Sequence, residues 1–164
     1  MYKRQIATGT TVDIDTSGNT TTIAEAGDIT AGGAVTFGAN KTGTLTTAGE
    51  ITTSDDDVTF TNAVTLQGDV EIDTTSSGNI LFSSTVATGD KNLTLDAGTA
   101  GNITAASSIT GGGNIRVVDG AVQQYSGAIS VDSLDIQDAT SSVTLDGAVT
   151  VSYTHLPLPT ICSV

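Results

Sequence analysis

Between Ile6 and Thr150 the chain contains no cysteine, no proline, no histidine and no tryptophan. Without cysteine there is no disulfide framework and no thiol nucleophile. Without histidine there is no imidazole base and none of the commonest metal ligands. Cations are almost missing as well: Lys41, Lys91 and Arg116 stand against all eighteen Asp and Glu. Three positive charges against eighteen negative ones leave this stretch at −15. Such a surface repels nucleic-acid phosphates, which require clustered Lys and Arg, and is disfavoured on anionic membranes. No apolar run is long enough to span a bilayer. Low aromatic content and high charge can signal disorder, but here Val, Ile and Leu recur at ordered spacing.

The chain's cysteine, histidine and prolines are collected at one end. His155, Pro157, Pro159 and Cys162 all lie in the last fourteen residues, VSYTHLPLPTICSV. MYKRQ at the other end is basic, but the apolar run of a signal peptide does not follow it. MYKRQ and VSYTHL resemble translations, in complementary senses, of the transposase mosaic-end adaptor used in sequencing libraries. GTG TAT AAG AGA CAG gives Met1 to Gln5, with GTG as a start, and GTC TCT TAT ACA CAT CT gives Val151 to Leu156. Pro157 departs from the adaptor, which continues with threonine. The resemblance implies that residues 1–5 and 151–164 are adaptor-derived. Residues 6–150 are then an internal fragment of a larger protein, whose signal sequence lies outside it. Neither end is then expected to contribute to function, and no arranged partner is expected around His155 or Cys162.

What the rest contains is a period-two pattern. Two apolar residues bracket one other residue at Val12–Ile14, Val35–Phe37, Val58–Phe60, Val64–Leu66, Val70–Ile72, Ile80–Phe82, Leu93–Leu95, Ile115–Val117, Ile129–Val131, Leu134–Ile136 and Val143–Leu145. Each is the in-out-in signature of a short strand. Gly, Asn, Asp, Ser and Thr lie between them and supply turns. No stretch has the three-and-four spacing of an amphipathic helix.

A longer period is superimposed. Gly27-Asp-Ile-Thr recurs as Gly49-Glu-Ile-Thr, Val58-Thr-Phe60 as Ile80-Leu-Phe82, and Gly78-Asn-Ile80 as Gly101-Asn-Ile103. Several short strands in each period of about 22–23 residues predict an all-β, parallel, right-handed β-helix of roughly six coils. The phase slips near Ile51–Val58 and again after Ile103, where Gly111-Gly112-Gly113 predicts an irregular turn. The alternative is a sandwich of antiparallel hairpins, with strand partners fewer than ten residues apart.

GDIT, VTFTNAVTLQGDVEIDT, GNILFSSTV and KNLTLDAGTAGNIT resemble phrases of filamentous-haemagglutinin-like and autotransporter-like bacterial exoproteins, over most of Asp28 to Leu145. The resemblance implies a secreted or cell-surface, outer-membrane-associated protein with a structural or adhesive stalk role. Its partners would be surface glycans or proteins, and it carries over no catalytic residue. The expectation is therefore no enzyme activity, no cofactor and no metal site in this fragment.

The alternative is a piece of a carbohydrate-active β-helix enzyme. Carboxylates one coil apart, Asp73 with Asp96 or Glu50 with Asp73, are its candidates, against a role as equivalent turn residues. Asp55-Asp56-Asp57 is a candidate calcium ligand set, but adjacent residues of an extended run face different ways. Sequons begin at Asn19, Asn40, Asn92 and Asn102. Tyr125 is expected at a coil corner or on the surface.

Overall fold

A computed structural model of the chain describes residues 6–14, 20–24, 27–38 and 43–152. Their secondary structure is β throughout, with no helix among the described residues. The chain winds through three strands per rung. The first rung is β1 (Ile6–Thr8), β2 (Val12–Ile14) and β3 (Thr20–Ile23), and the second is β4 (Ile29–Ala31), β5 (Val35–Phe37) and β6 (Thr44–Thr47). The third is β7 (Ile51–Thr53), β8 (Val58–Phe60) and β9 (Ala63–Leu66), and the fourth is β10 (Val70–Asp73), β11 (Ile80–Phe82) and β12 (Val86–Gly89). Then come β13 (Leu93–Asp96), β14 (Ile103–Ala105) and β15 (Ile109–Gly111), followed by β16 (Asn114–Asp119), β17 (Val122–Tyr125) and β18 (Ile129–Val131). The last rung is β19 (Ser133–Ile136), β20 (Ser142–Leu145) and β21 (Val149–Val151).

Each strand pairs in parallel with the strand three places away, which produces three seven-stranded sheets, A, B and C, starting at β1, β2 and β3. The fold is thus a parallel β-solenoid. Six rung-to-rung steps of about 4.8 Å make a rod roughly 30 Å long. Among the described residues no strands pair as antiparallel hairpins. All eleven sequence triplets lie in strands, and the repeats stack as their spacing indicates: Ile29 opposes Ile51, Val58 opposes Ile80, and Ile80 opposes Ile103.

The period varies where slips were expected. Val64 opposes Leu45 and Ile72 opposes Ile51, so the rungs between them are shorter than the repeat read from the sequence. Beyond Ile103 the rungs shorten again. Gln123 opposes Ile103 and Ile129 opposes Ile109, whereas Ile103 and Ile109 themselves reach further back, to Ile80 and Val86. Register also shifts between Ala87 and Gly89, opposite Thr110 and Gly111. Glycine is required beside this irregularity, because a Cβ at Gly113 would collide with the Lys91 carbonyl.

Alternate residues point inward because successive strand side chains face opposite ways. The inward residues, such as Ile29, Val35, Leu45, Ile51, Val58 and Ile80, form one continuous apolar column inside the rod. In sheet B the rings of Phe37, Phe60 and Phe82 stack along the axis, with centroids 4.9 and 4.7 Å apart and planes within 8° and 7°. No rung could bury these residues alone, so stability lies in the stacking.

Candidate functional site

Polar chemistry sits at the corners between sheets. At the corner entering sheet B, the Asp57 carboxylate oxygen Oδ1 accepts hydrogen bonds from the Asn79 backbone N–H (2.8 Å) and Nδ2 (2.9 Å). Asn79 Oδ1 in turn accepts from Asn102 N (3.0 Å) and Nδ2 (2.9 Å), and Asn102 Oδ1 accepts from Val122 N (3.2 Å). A second ladder lies at the corner entering sheet A. There Asn92 N and Nδ2 donate to the Asp69 carboxylate at 2.8 and 3.1 Å. Asn92 Oδ1 accepts from Asn114 N and Nδ2 at 3.3 and 2.8 Å, and Asn114 Oδ1 accepts from Ser133 Oγ at 2.7 Å.

Each ladder residue immediately precedes the first inward apolar residue of its strand: Asp57-Val58, Asn79-Ile80, Asn102-Ile103, and Asp69-Val70, Asn92-Leu93, Asn114-Ile115. The recurrence is visible in the sequence, although strand periodicity alone does not single it out. Shallow recesses run beside both ladders. One of about 320 Å³ is bordered by Asp57, Thr59, Asn79, Leu81, Asn102 and Thr104, and one of about 240 Å³ by Glu50, Asp69, Glu71, Asn92 and Thr94.

The Asn92 N–H and amide bonds hold the Asp69 carboxyl below the usual carboxylate range. A depressed folded pKa stabilises the fold above the unfolded value, near pH 4, and this contribution is lost as pH falls through the folded pKa. Asp69→Asn is expected to reduce the acid sensitivity of the urea midpoint below about pH 4. An unchanged pH profile in the variant would show that Asp69 does not couple folding to protonation.

The proposed carboxylate pairs divide. Asp73 directly opposes Asp96, and Asp96 opposes Asp119 across the next step. Glu50 does not stack on Asp73. Thr52 occupies that place, because the rung between them is shorter than the repeat. Each stacked acid is engaged in its own turn: Asp73 accepts from Thr75 N (2.7 Å), Asp96 from Gly98 N (3.0 Å) and Asp119 from Gly120 N (2.7 Å). Such bonds to the backbone just ahead are what turn aspartates make. Asp96, Asp119 and Asp138 also border one recess of about 270 Å³.

The three carboxylates of Asp55–Asp57 do not converge. Asp55 Oδ1 accepts from Ser76 N at 3.0 Å, Asp57 serves the ladder, and Asp55 has a φ of 65°. Among the described residues no group of three His, Cys, Asp or Glu is placed to hold a metal ion. The sequon amides of Asn92 and Asn102 are both donors within the ladders. Lys91 Nζ lies 2.9 Å from the exposed Asp90 carboxylate, a solvated pair of small energetic weight. Asn19, Asn40, His155, Pro157, Pro159 and Cys162 lie outside the described residues.

Tyr125 corrects its expected position. It is 1% exposed, on the inner face of β17, in the same column as the phenylalanine rings and Ala105. Its hydroxyl donates to Gln123 Oε1 at 3.4 Å, and burial pushes the phenol above its ordinary pKa. Gln123 is fully buried, and its Nε2 donates to the Asp138 carbonyl at 2.7 Å and the Gly120 carbonyl at 3.4 Å. Sequence reasoning missed this pair because Gln and Tyr do not register as inward residues.

Among the described residues no helix is long and apolar enough to cross a membrane. No family model matches the chain, and no curated protein or solved structure does either.

Proposed function

We propose that this chain is a structural and adhesive stalk segment of a large protein exported to the bacterial cell surface, acting without catalysis. The observation that carries the reading is the pair of side-chain ladders. The Asp and Asn side chains of these corners are hydrogen-bonded from rung to rung, which suits a rod that bears load along its axis. Cysteine-free composition between Ile6 and Thr150 and a net charge of −13 for the chain are consistent with an extracellular, solvated surface. Its ligands would be surface glycans or proteins that meet the Thr- and Asn-bearing faces.

The enzyme alternative retains one favouring observation, the Asp96, Asp119 and Asp138 carboxylates around a single recess. Arg116, on the neighbouring part of β16, points its guanidinium Nη2 to Gln137 Oε1 at 2.9 Å.

Two assays separate the readings. Beads coated with the protein are tested for retention on immobilised glycans and surface proteins, and the free protein is incubated with neutral and acidic polysaccharides. Saturable retention with no release of reducing ends is the expected result. Release of reducing ends that disappears in Asp96→Asn would replace the stalk reading with the enzyme.

A further inference from the structure

The recess beside the Asp57 ladder has an apolar residue where its neighbour has a charge. β8, β11 and β14 lie side by side in sheet B, and Leu81 of β11 directly opposes Thr59 on one side and Thr104 on the other. Ile80 and Phe82 are buried in the core, so Leu81 points outward between two threonines. Two residues ahead of these three stand Asp57, Asn79 and Asn102, the ladder itself. Successive rungs are about 4.8 Å apart, and residues i and i+2 of one strand about 6.6 Å. The result is a small grid along the recess of about 320 Å³, with one apolar side chain among five polar ones.

The ladder does not use up these polar groups. Both bonds to Asp57 end on Oδ1, which leaves Oδ2 its acceptor capacity. Asn79 and Asn102 each give one Nδ2 N–H to the ladder and keep the other. Thr59 and Thr104 add a hydroxyl each.

We propose that this recess is a docking site for one uncharged sugar ring of a surface glycan, with Leu81 under a C–H face of the ring and Asp57, Asn79 and Asn102 meeting its hydroxyls. A pyranose combines apolar C–H faces with a rim of donors and acceptors, which is the pattern of the grid. The recess lies at the small end of ligand-cleft sizes, which gives room for one ring. Uronic or sulfated sugars are disfavoured by Asp57 and by the net charge of −13. A cationic ligand is better served by the neighbouring recess, where Glu50, Asp69 and Glu71 come together. A peptide strand has nothing to pair with, because β8, β11 and β14 are each paired along both edges. The inference deepens the adhesive reading and rests on it.

The test is titration of the ¹⁵N-labelled full chain with methyl α-mannoside, methyl β-galactoside and methyl β-glucoside, read on the side-chain amide signals. At least one of them is expected to shift the Asn79 and Asn102 amides saturably and to leave Asn92 and Asn114, in the second ladder, unmoved. Leu81→Thr suits an outward strand position and should weaken that binding about tenfold or more. Glu71→Thr, at the matching place in the other recess, should not alter it. The proposal is overturned if no glycoside shifts these amides, if glycerol shifts them as far, if only glucuronate does so, or if Leu81→Thr binds like the parent. Bead retention separates this site from the wider reading. Retention on glycans that persists in Leu81→Thr removes the site and leaves the adhesive role standing, whereas a parent chain retained on no glycan removes both.

Discussion

Phe60→Ala is expected to destabilise the rod by about 4 kcal/mol, the largest single effect at any one ring. The Phe60 ring is 1% exposed and lies flat between Phe37 and Phe82, so truncation opens a void with an aromatic face on each side. Two ring contacts of about 0.5–1.5 kcal/mol each are lost together with the buried area. The backbone cannot close the gap, because rung spacing is fixed by the parallel ladders on all three faces. Urea unfolding of Phe60→Ala and of Thr59→Ala, one residue away on the outer face, is the comparison to make. A difference below about 1 kcal/mol would mean that the rings do not pack between rungs. Phe60→Leu should cost less than the alanine variant, since it refills part of the volume.

The second large effect is expected at Gln123. Gln123→Ala should cost about 3 kcal/mol, from a cavity, an orphaned Asp138 carbonyl and a Tyr125 hydroxyl without its acceptor. Gln123→Leu separates these causes: it fills the space but still strands the polar groups, so about 1–3 kcal/mol should remain. If the leucine variant is as stable as the parent, the buried hydrogen bonds contribute nothing net. Tyr125 adds a pH signature of definite sign. Its folded pKa is raised, so its contribution is complete below the unfolded value near pH 10 and is lost as pH rises above it. Tyr125→Phe should therefore flatten the alkaline fall in stability. A fall of the same size in both chains would assign it to other groups.

The column that holds these residues also explains how much of the fold was legible. The eleven in-out-in triplets were readable because both inward residues were large and apolar. Other strands escaped that pattern. Ile29-Thr-Ala31, Ile51-Thr-Thr53 and Ile103-Thr-Ala105 carry a small or polar residue at the second inward place, and Thr47 is buried in β6 with no hydrogen-bond partner for its hydroxyl. The interior of a solenoid constrains the volume shared by neighbouring rungs, not the hydrophobicity of each position. Ala105 fits because Phe82 lies on one side of it and Tyr125 on the other.

The candidate site divides in the same way. Equal spacing correctly stacked Asp73 on Asp96. The same spacing failed for Glu50 and Asp73, because the rung between them is short and spacing alone cannot locate where a turn shortens. The ladders depend on that register too. Asp57, Asn79 and Asn102 were visible as turn residues, but only the stacking turned them into mutual donors and acceptors.

By itself, then, the sequence determined the β class, the parallel repeat of short strands and the acidic, disulfide-free character of residues 6–150. These follow from local alternation, from self-similarity and from charge, all of which are written along the chain. Only the tertiary structure decided the register of each rung and the inward place of Gln123 and Tyr125. Those depend on contacts between residues a full rung apart, where a small change in the length of one turn alters every partner that follows.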